Sequence, residues 1–82
     1  MERVEILRKI ELVITDFFNL KNFVCAESTS AADIEGWNSF SHLPLMSKIE
    51  EAFSLRFSFI EITDFNTVGD IVNCIQKKLS GI

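Results

Sequence analysis

The chain has no tyrosine, one histidine, one proline, two cysteines and three glycines among its 82 residues, and each shortage removes a class of function. Cys25 and Cys74 are too few for a disulfide framework, and His42 alone cannot complete a zinc site with them, so metal chemistry is set aside and both thiols read as free. Gly36, Gly69 and Gly81 are too scattered to build a glycine-rich phosphate loop. Positive charge is also short: eight Lys and Arg against twelve Asp and Glu leave a net charge of −4, which repels phosphate backbones and argues against nucleic acid. No apolar run is long enough to cross a membrane. The first twenty residues carry Glu2, Glu5, Glu11 and Asp16 and no small-residue cleavage site, so they do not read as a signal peptide, and a cytoplasmic monomer is the expectation.

What remains is 48% hydrophobic and 24% charged, the composition of one folded domain spanning 1–82. From Glu2 to Phe18, Leu7, Ile10, Ile14 and Phe17 recur every three or four residues, flanked by Ile6, Val13 and Phe18, which predicts an amphipathic helix ending at Asn19. Asn19 to Asn38 reads as a long connection with one turn, capped by Ser30 with Asp33 three residues on. A connection of that length in a small domain needs a function or its own apolar pins, here Phe23, Ile34 and Trp37. Helical spacing returns from Phe40 to Phe53, with Leu45, Met46, Ile49 and Phe53 on one face and His42 and Ala52 at its edges. Leu55 to Phe59 reads as an extended linker, because the chain offers no partner strand. A short helix follows at Glu61 to Phe65. Thr67 and Asp70 then cap a last helix bearing Val68, Ile71, Val72, Ile75 and Leu79, closed by Lys77, Lys78 and Gly81. The predicted fold is all-α, a small bundle of three to four helices with a long loop between the first and second. Phe17, Phe18, Phe53, Phe57, Phe59 and Phe65 are its aromatic core candidates, and Cys74 borders the last apolar stripe.

Groups for catalysis are sparse. Ser39 and His42 share a helical spacing, but no third residue is placed to orient the imidazole, so a serine hydrolase has little support and His42 reads as a packed side chain. More informative is Gly36-Trp37-Asn38-Ser39-Phe40, a serine delivered by a turn to the start of a helix. Free backbone N–H groups and the helix dipole favour an anion there by about 0.3–1 kcal/mol, while the simplest structural role for Ser39 is an N-cap. Pro44 complicates that role. In a helix begun at Ser39 it would leave the Phe40 carbonyl unpaired, at roughly 3 kcal/mol in a helix interior. An irregular start is therefore predicted, with the first regular turn near Ser41 or Leu43, where Pro44 falls among positions that need no intrahelical donor.

The run Asp33 to Leu43, followed by Ile49-Glu50-Glu51-Ala52-Phe53 and Thr67-Val68-Gly69-Asp70-Ile71-Val72, resembles the acyl carrier protein family over nearly the whole chain. Members carry Asp-Ser-Leu at the start of the second helix, frequently preceded by Gly-Trp in stand-alone carriers. The resemblance implies a non-catalytic carrier whose Ser39 receives 4′-phosphopantetheine from coenzyme A, the terminal thiol then holding acyl or aminoacyl groups as thioesters. It implies a phosphopantetheinyl transferase and acyl-loading and acyl-processing enzymes as partners. Asn38 stands where the family has aspartate, removing a carboxylate beside the metal-dependent transfer, and Phe40 stands where it has leucine. Asn38, Phe40, Leu43, Glu50 and Glu51 are the expected partner-binding residues; the helical step turns Phe40, Leu43 and Pro44 away from the core, where they either cover the long loop by packing on Trp37 or make a docking patch more apolar than usual. Large aromatic rings in the core point to short or polar cargo. The other reading is a carrier-like helical interaction module that is never modified.

Overall fold

The computed structural model describes residues 1–80. Four helices follow in order, α1 (Arg3–Phe18), α2 (His42–Phe53), α3 (Phe59–Asp64) and α4 (Val68–Leu79), with a 3-10 turn at Ala31–Asp33 inside the long connection. The fold is the expected all-α bundle. Capping begins three of the helices: Glu2 with Glu5 at α1, Ser58 with Glu61 at α3 and Thr67 with Asp70 at α4 each satisfy one another's backbone N–H groups. Asn19 and Ser54 end α1 and α2 in the left-handed region, both at φ 54°.

Helix α1 packs against both α2 and α4. Ile6, Ile10 and Ile14, one per turn, meet Leu45, Met46, Ile49 and Phe53 from α2 and Val68, Ile71, Val72 and Ile75 from α4 in a single buried cluster. The second-helix face is the predicted one. On α1 the buried line runs through Ile6, and Leu7 and Phe17 lie at its margin, because the four-residue spacing of the isoleucines keeps them over one line of contact. Phe53 and Phe57 are buried, and Phe17, Phe18 and Phe65 are half-buried. Phe59 departs from expectation: it is 70% exposed, because α3 starts there rather than at Glu61 and its first turn faces outward. Leu79 is likewise exposed at the last turn of α4. Gly81, expected to close α4, lies outside the described residues.

The long connection is held at Cys25 to Thr29, where it meets α1 and α4. The carboxylate of Glu11 accepts the Cys25 N–H at 2.6 Å, and Arg8, paired with Glu11, donates to the Cys25 carbonyl at 2.8 Å. Arg3 grips both oxygens of Glu27 and donates to Asn73 and Gln76 on α4. Val68 and Gly69, the first residues of α4, donate their N–H groups to the carbonyls of Thr29 and Glu27, each at 2.8 Å, so orphan amides of the helix are satisfied by the loop. A Cβ at residue 69 would stand 3.0 Å from the Glu27 carbonyl oxygen, which explains glycine there. Cys25, Ile34 and Trp37 are buried and Phe23 is half-buried, so the loop carries its own apolar pins as predicted.

Candidate functional site

The regular part of α2 begins at His42, and Pro44 is its third residue. Proline there removes an N–H from the first turn, where donors have few intrahelical partners, so the irregular start expected from Pro44 is observed. One turn earlier the chain is already curled. The Oδ1 of Asn38 accepts the N–H groups of Phe40 and Ser41 at 2.8 and 3.1 Å, and the Asn38 N–H donates to Ser41 Oγ at 2.9 Å. This reciprocal arrangement makes Asn38 the cap of the turn that leads into α2, a role the sequence had left open to Ser39, while Ser41 stands at the N-cap of the regular helix without a side-chain cap bond of its own. Ser41 Oγ–H in turn donates to the Gly36 carbonyl at 2.7 Å. Gly36 sits at φ +97°, and the Phe18 ring is 3.4 Å from where a Cβ would be, so the bend before Trp37 needs glycine.

Relieved of capping, Ser39 is exposed in the turn. Asn38 supplies the cap oxygen without a negative charge. Helix α2 also has no acidic residue in its first turn, whereas α1, α3 and α4 carry Glu5, Glu61 and Asp70 there. The positive end of the α2 dipole next to Ser39 is therefore not offset by a nearby carboxylate of its own helix.

Beside Ser39 runs an open groove of about 490 Å³ between α2 and α3, lined by Trp37, His42, Leu43, Phe59 and Ile62 among others. A larger open groove of about 810 Å³ lies between α1 and α2, lined in part by Lys9, Leu12, Phe17 and Leu20. None of the residues of the Ser39 turn borders it, so the smaller groove is the one tied to the serine. His42 forms part of the smaller groove's floor. Its Nδ1 accepts from Trp37 Nε1 at 3.0 Å and its Nε2 lies 3.0 Å from the Ile62 carbonyl. An indole only donates and a carbonyl only accepts, so the ring is neutral with its proton on Nε2. Both nitrogens are engaged, which leaves neither to take a proton from Ser39. His42 is the packed side chain expected of it.

The remaining expected site residues divide. Phe40 is 89% exposed and Leu43 about half exposed, both beside Ser39. Glu51 is exposed on the outward face of α2, but Glu50 turns back to accept the Phe57 N–H at 2.7 Å, pinning the segment that leads to α3. Sequence reasoning missed Phe59 as a groove residue and missed the His42 link to α3. The available signal was the position of His42 at the edge of the α2 apolar face, five residues beyond Trp37. The cysteines carry no activation. Burial pushes the Cys25 thiol up to about 11, and burial followed by the Glu61 charge raises Cys74. No group of three or more His, Cys, Asp or Glu side chains converges on a metal site among the described residues.

No protein-family model matches the chain. Among curated proteins it is similar to an acyl carrier protein of Thermotoga maritima, 29% identical over 94% of this chain and 95% of the relative. It is 30% identical to an acyl carrier protein of Borreliella burgdorferi over 95% of this chain and 98% of that one. Its fold superposes on the solution structure of holo acyl carrier protein from Geobacter metallireducens with a TM-score of 0.82 and 30% identity, covering 90% of this chain and 85% of the other.

Proposed function

The chain belongs to the acyl carrier protein family, and from that premise we propose that it carries acyl or aminoacyl intermediates as thioesters on a 4′-phosphopantetheine arm attached to Ser39. The observation that supports this most directly is the exposed Ser39 on the Asn38-capped turn at the mouth of α2. In attachment, Ser39 Oγ forms a new phosphodiester with the pantetheine-linked phosphorus of coenzyme A. The bond to the second phosphate breaks, the nucleotide bisphosphate leaves, and the hydroxyl proton passes to a base of the transferase. The bound arm supplies a thiol for thioester formation. This chain's own residues fit such a group: the Ser39 hydroxyl faces water, the neutral Asn38 does not repel the phosphodiester, and the α2 dipole favours it. The chain needs no acid-base pair of its own, and we read it as a single carrier domain and not an enzyme, a monomer working in the cytoplasm.

We assign the partner surface to Phe40 and Leu43 with Asn38 at one end and Glu51 at the other. A phenylalanine 89% exposed beside the reacting hydroxyl is best accounted for by intermittent cover from a transferase or an acyl-handling enzyme. Glu50, tied to the Phe57 N–H, contributes less than the sequence implied. The buried rings of Phe53 and Phe57 fill core volume and favour short or polar cargo.

Incubation of the purified chain with coenzyme A and a broad-specificity phosphopantetheinyl transferase, followed by intact mass measurement, tests the proposal. One phosphopantetheine mass is gained by the wild type and none by Ser39→Ala. Absence of gain with several transferases would transfer the assignment to an unmodified interaction module.

A further inference from the structure

We propose that His42 is a positioning residue that fastens the Ser39 turn to α3, so that the serine and the wall of its groove meet a partner enzyme as one unit. The proposal rests on the reading of Ser39 as the carrier site. Three segments converge on one imidazole. Trp37, immediately before the capping residue Asn38, donates its indole N–H to Nδ1; the ring itself belongs to the first turn of α2; and Nε2–H donates to the Ile62 carbonyl on α3. The Trp37 and His42 rings also lie nearly parallel, at 18° with centroids 6.0 Å apart. With no free polar atom left, the ring has one tautomer and one orientation in which both bonds form.

Helix α3 needs such a tie. It has only six residues, too few to be stable as an isolated helix. Its start is held by the Ser58–Glu61 capping box and by the 3.1 Å ion pair between Glu61 and Lys78 of α4. Ile62 is its one buried residue, and Phe59 and Ile60 are exposed. The His42 bond to Ile62 secures its later part, and it does so from the residue whose other nitrogen holds the segment leading into Asn38 and Ser39. A shift of α3 away from α2 therefore pulls on Trp37 and on the Ser39 turn.

Two substitutions divide the link. The side-chain oxygen of asparagine reaches about as far as Nδ1, so His42→Asn keeps the Trp37 bond and loses the one to Ile62. The amide nitrogen of glutamine reaches about as far as Nε2, so His42→Gln keeps the Ile62 bond and loses the one to Trp37. Trp37 is the only tryptophan, so its emission reports its own bond without interference. The expected result is that His42→Asn speeds amide exchange in α3 roughly three- to tenfold, with the core amides of α1 unchanged, and His42→Gln shifts Trp37 emission while sparing α3. Both raise the transferase KM for the carrier by a similar factor and leave kcat unchanged, a split that a general loss of stability would not produce. Unchanged α3 exchange in His42→Asn, or an unchanged KM in both variants, overturns the proposal. Should either variant fail to fold, the wild-type imidazole nitrogen shifts decide: a proton on Nε2 upholds the link and a proton on Nδ1 refutes it. A wild type that accepts no phosphopantetheine refutes the carrier reading alone, and exchange and nitrogen shifts then judge the link by themselves.

Discussion

Asn38 is the residue at which the stability of the turn and the chemistry beside it are set against each other. Its Oδ1 holds the Phe40 and Ser41 amides at 2.8 and 3.1 Å. Alanine there removes the one oxygen that accepts both N–H groups from an exposed site, and loss of a polar N-cap costs about 0.5–2 kcal/mol, with solvated positions at the lower end. We expect Asn38→Ala to lose about 1 kcal/mol, equivalent to roughly 4–8 °C in Tm for a domain of this size. Aspartate keeps the oxygen and adds a negative charge at the start of α2, where the first turn has no acidic residue. Asn38→Asp should therefore gain about 0.3–1 kcal/mol at neutral pH and low salt, and lose that gain as salt is added.

Thermal melts of the two unmodified variants beside the wild type give the order Asp, Asn, Ala from most to least stable. On the phosphopantetheine-bearing protein the Asp variant should lose part of its advantage, because its carboxylate then faces the phosphodiester next door. The Ala variant keeps its deficit. Should Asn38→Ala melt with the wild type, the cap is not energetically engaged and the account of the turn fails. An equal Asp advantage before and after modification would show that the phosphate does not share the dipole at α2.

Three further outcomes follow from particular contacts. Gly69→Ala gains up to about 1 kcal/mol of helix propensity but sets a methyl 3.0 Å from the Glu27 carbonyl, where overpacking costs about 1–3 kcal/mol, so Tm should fall; an unchanged or raised Tm would mean that the loop yields freely. Phe40→Ala should raise the transferase KM several-fold and Glu51→Gln, at the solvated rim of that surface, by less, and the wild-type KM should change little between low and high salt; a steep rise with salt would refute an apolar docking patch. The N–H groups of Asn66 and Thr67 hold the Asp70 carboxyl below its usual range. A depressed folded value means that this stability is present above the unfolded value near pH 3.9 and is lost as pH falls through the folded one, so Asp70→Asn should flatten the acid limb of a Tm-against-pH curve. An acid limb identical to the wild type would refute that cap.

The helices were legible because burial and periodicity are local. Leu45, Met46, Ile49 and Phe53 occupy the predicted face of α2, and Thr67 with Asp70 forms the predicted cap of α4. Pro44 was legible for a covalent reason, since a missing N–H constrains where a helix starts whatever surrounds it. Phe59 was misplaced because hydropathy gives a ring's preference for burial without the rotation of a six-residue helix, which is set here by Ser58, Glu61 and Lys78. Glu50 was misread for a related reason. Its spacing marks a solvent-facing carboxylate, and only the return of the chain at Phe57 supplies an amide for it.

Asn38 and His42 were hardest to read because each role depends on a bond partner whose identity the spacing leaves open. A carboxylate and a carboxamide cap a helix with the same oxygen, so replacing one by the other preserves the turn while changing its charge. The structure accordingly separates two properties that an aspartate at this position would combine. The geometry that exposes Ser39 comes from an acceptor atom, whereas the field around Ser39 comes from net charge. In this chain the first is retained and the second is altered, so a transferase that relies on the turn's shape should accept the protein. One that needs a carboxylate at residue 38 should act faster on Asn38→Asp than on the wild type. Equal rates on both with every transferase tried would mean that shape alone is read.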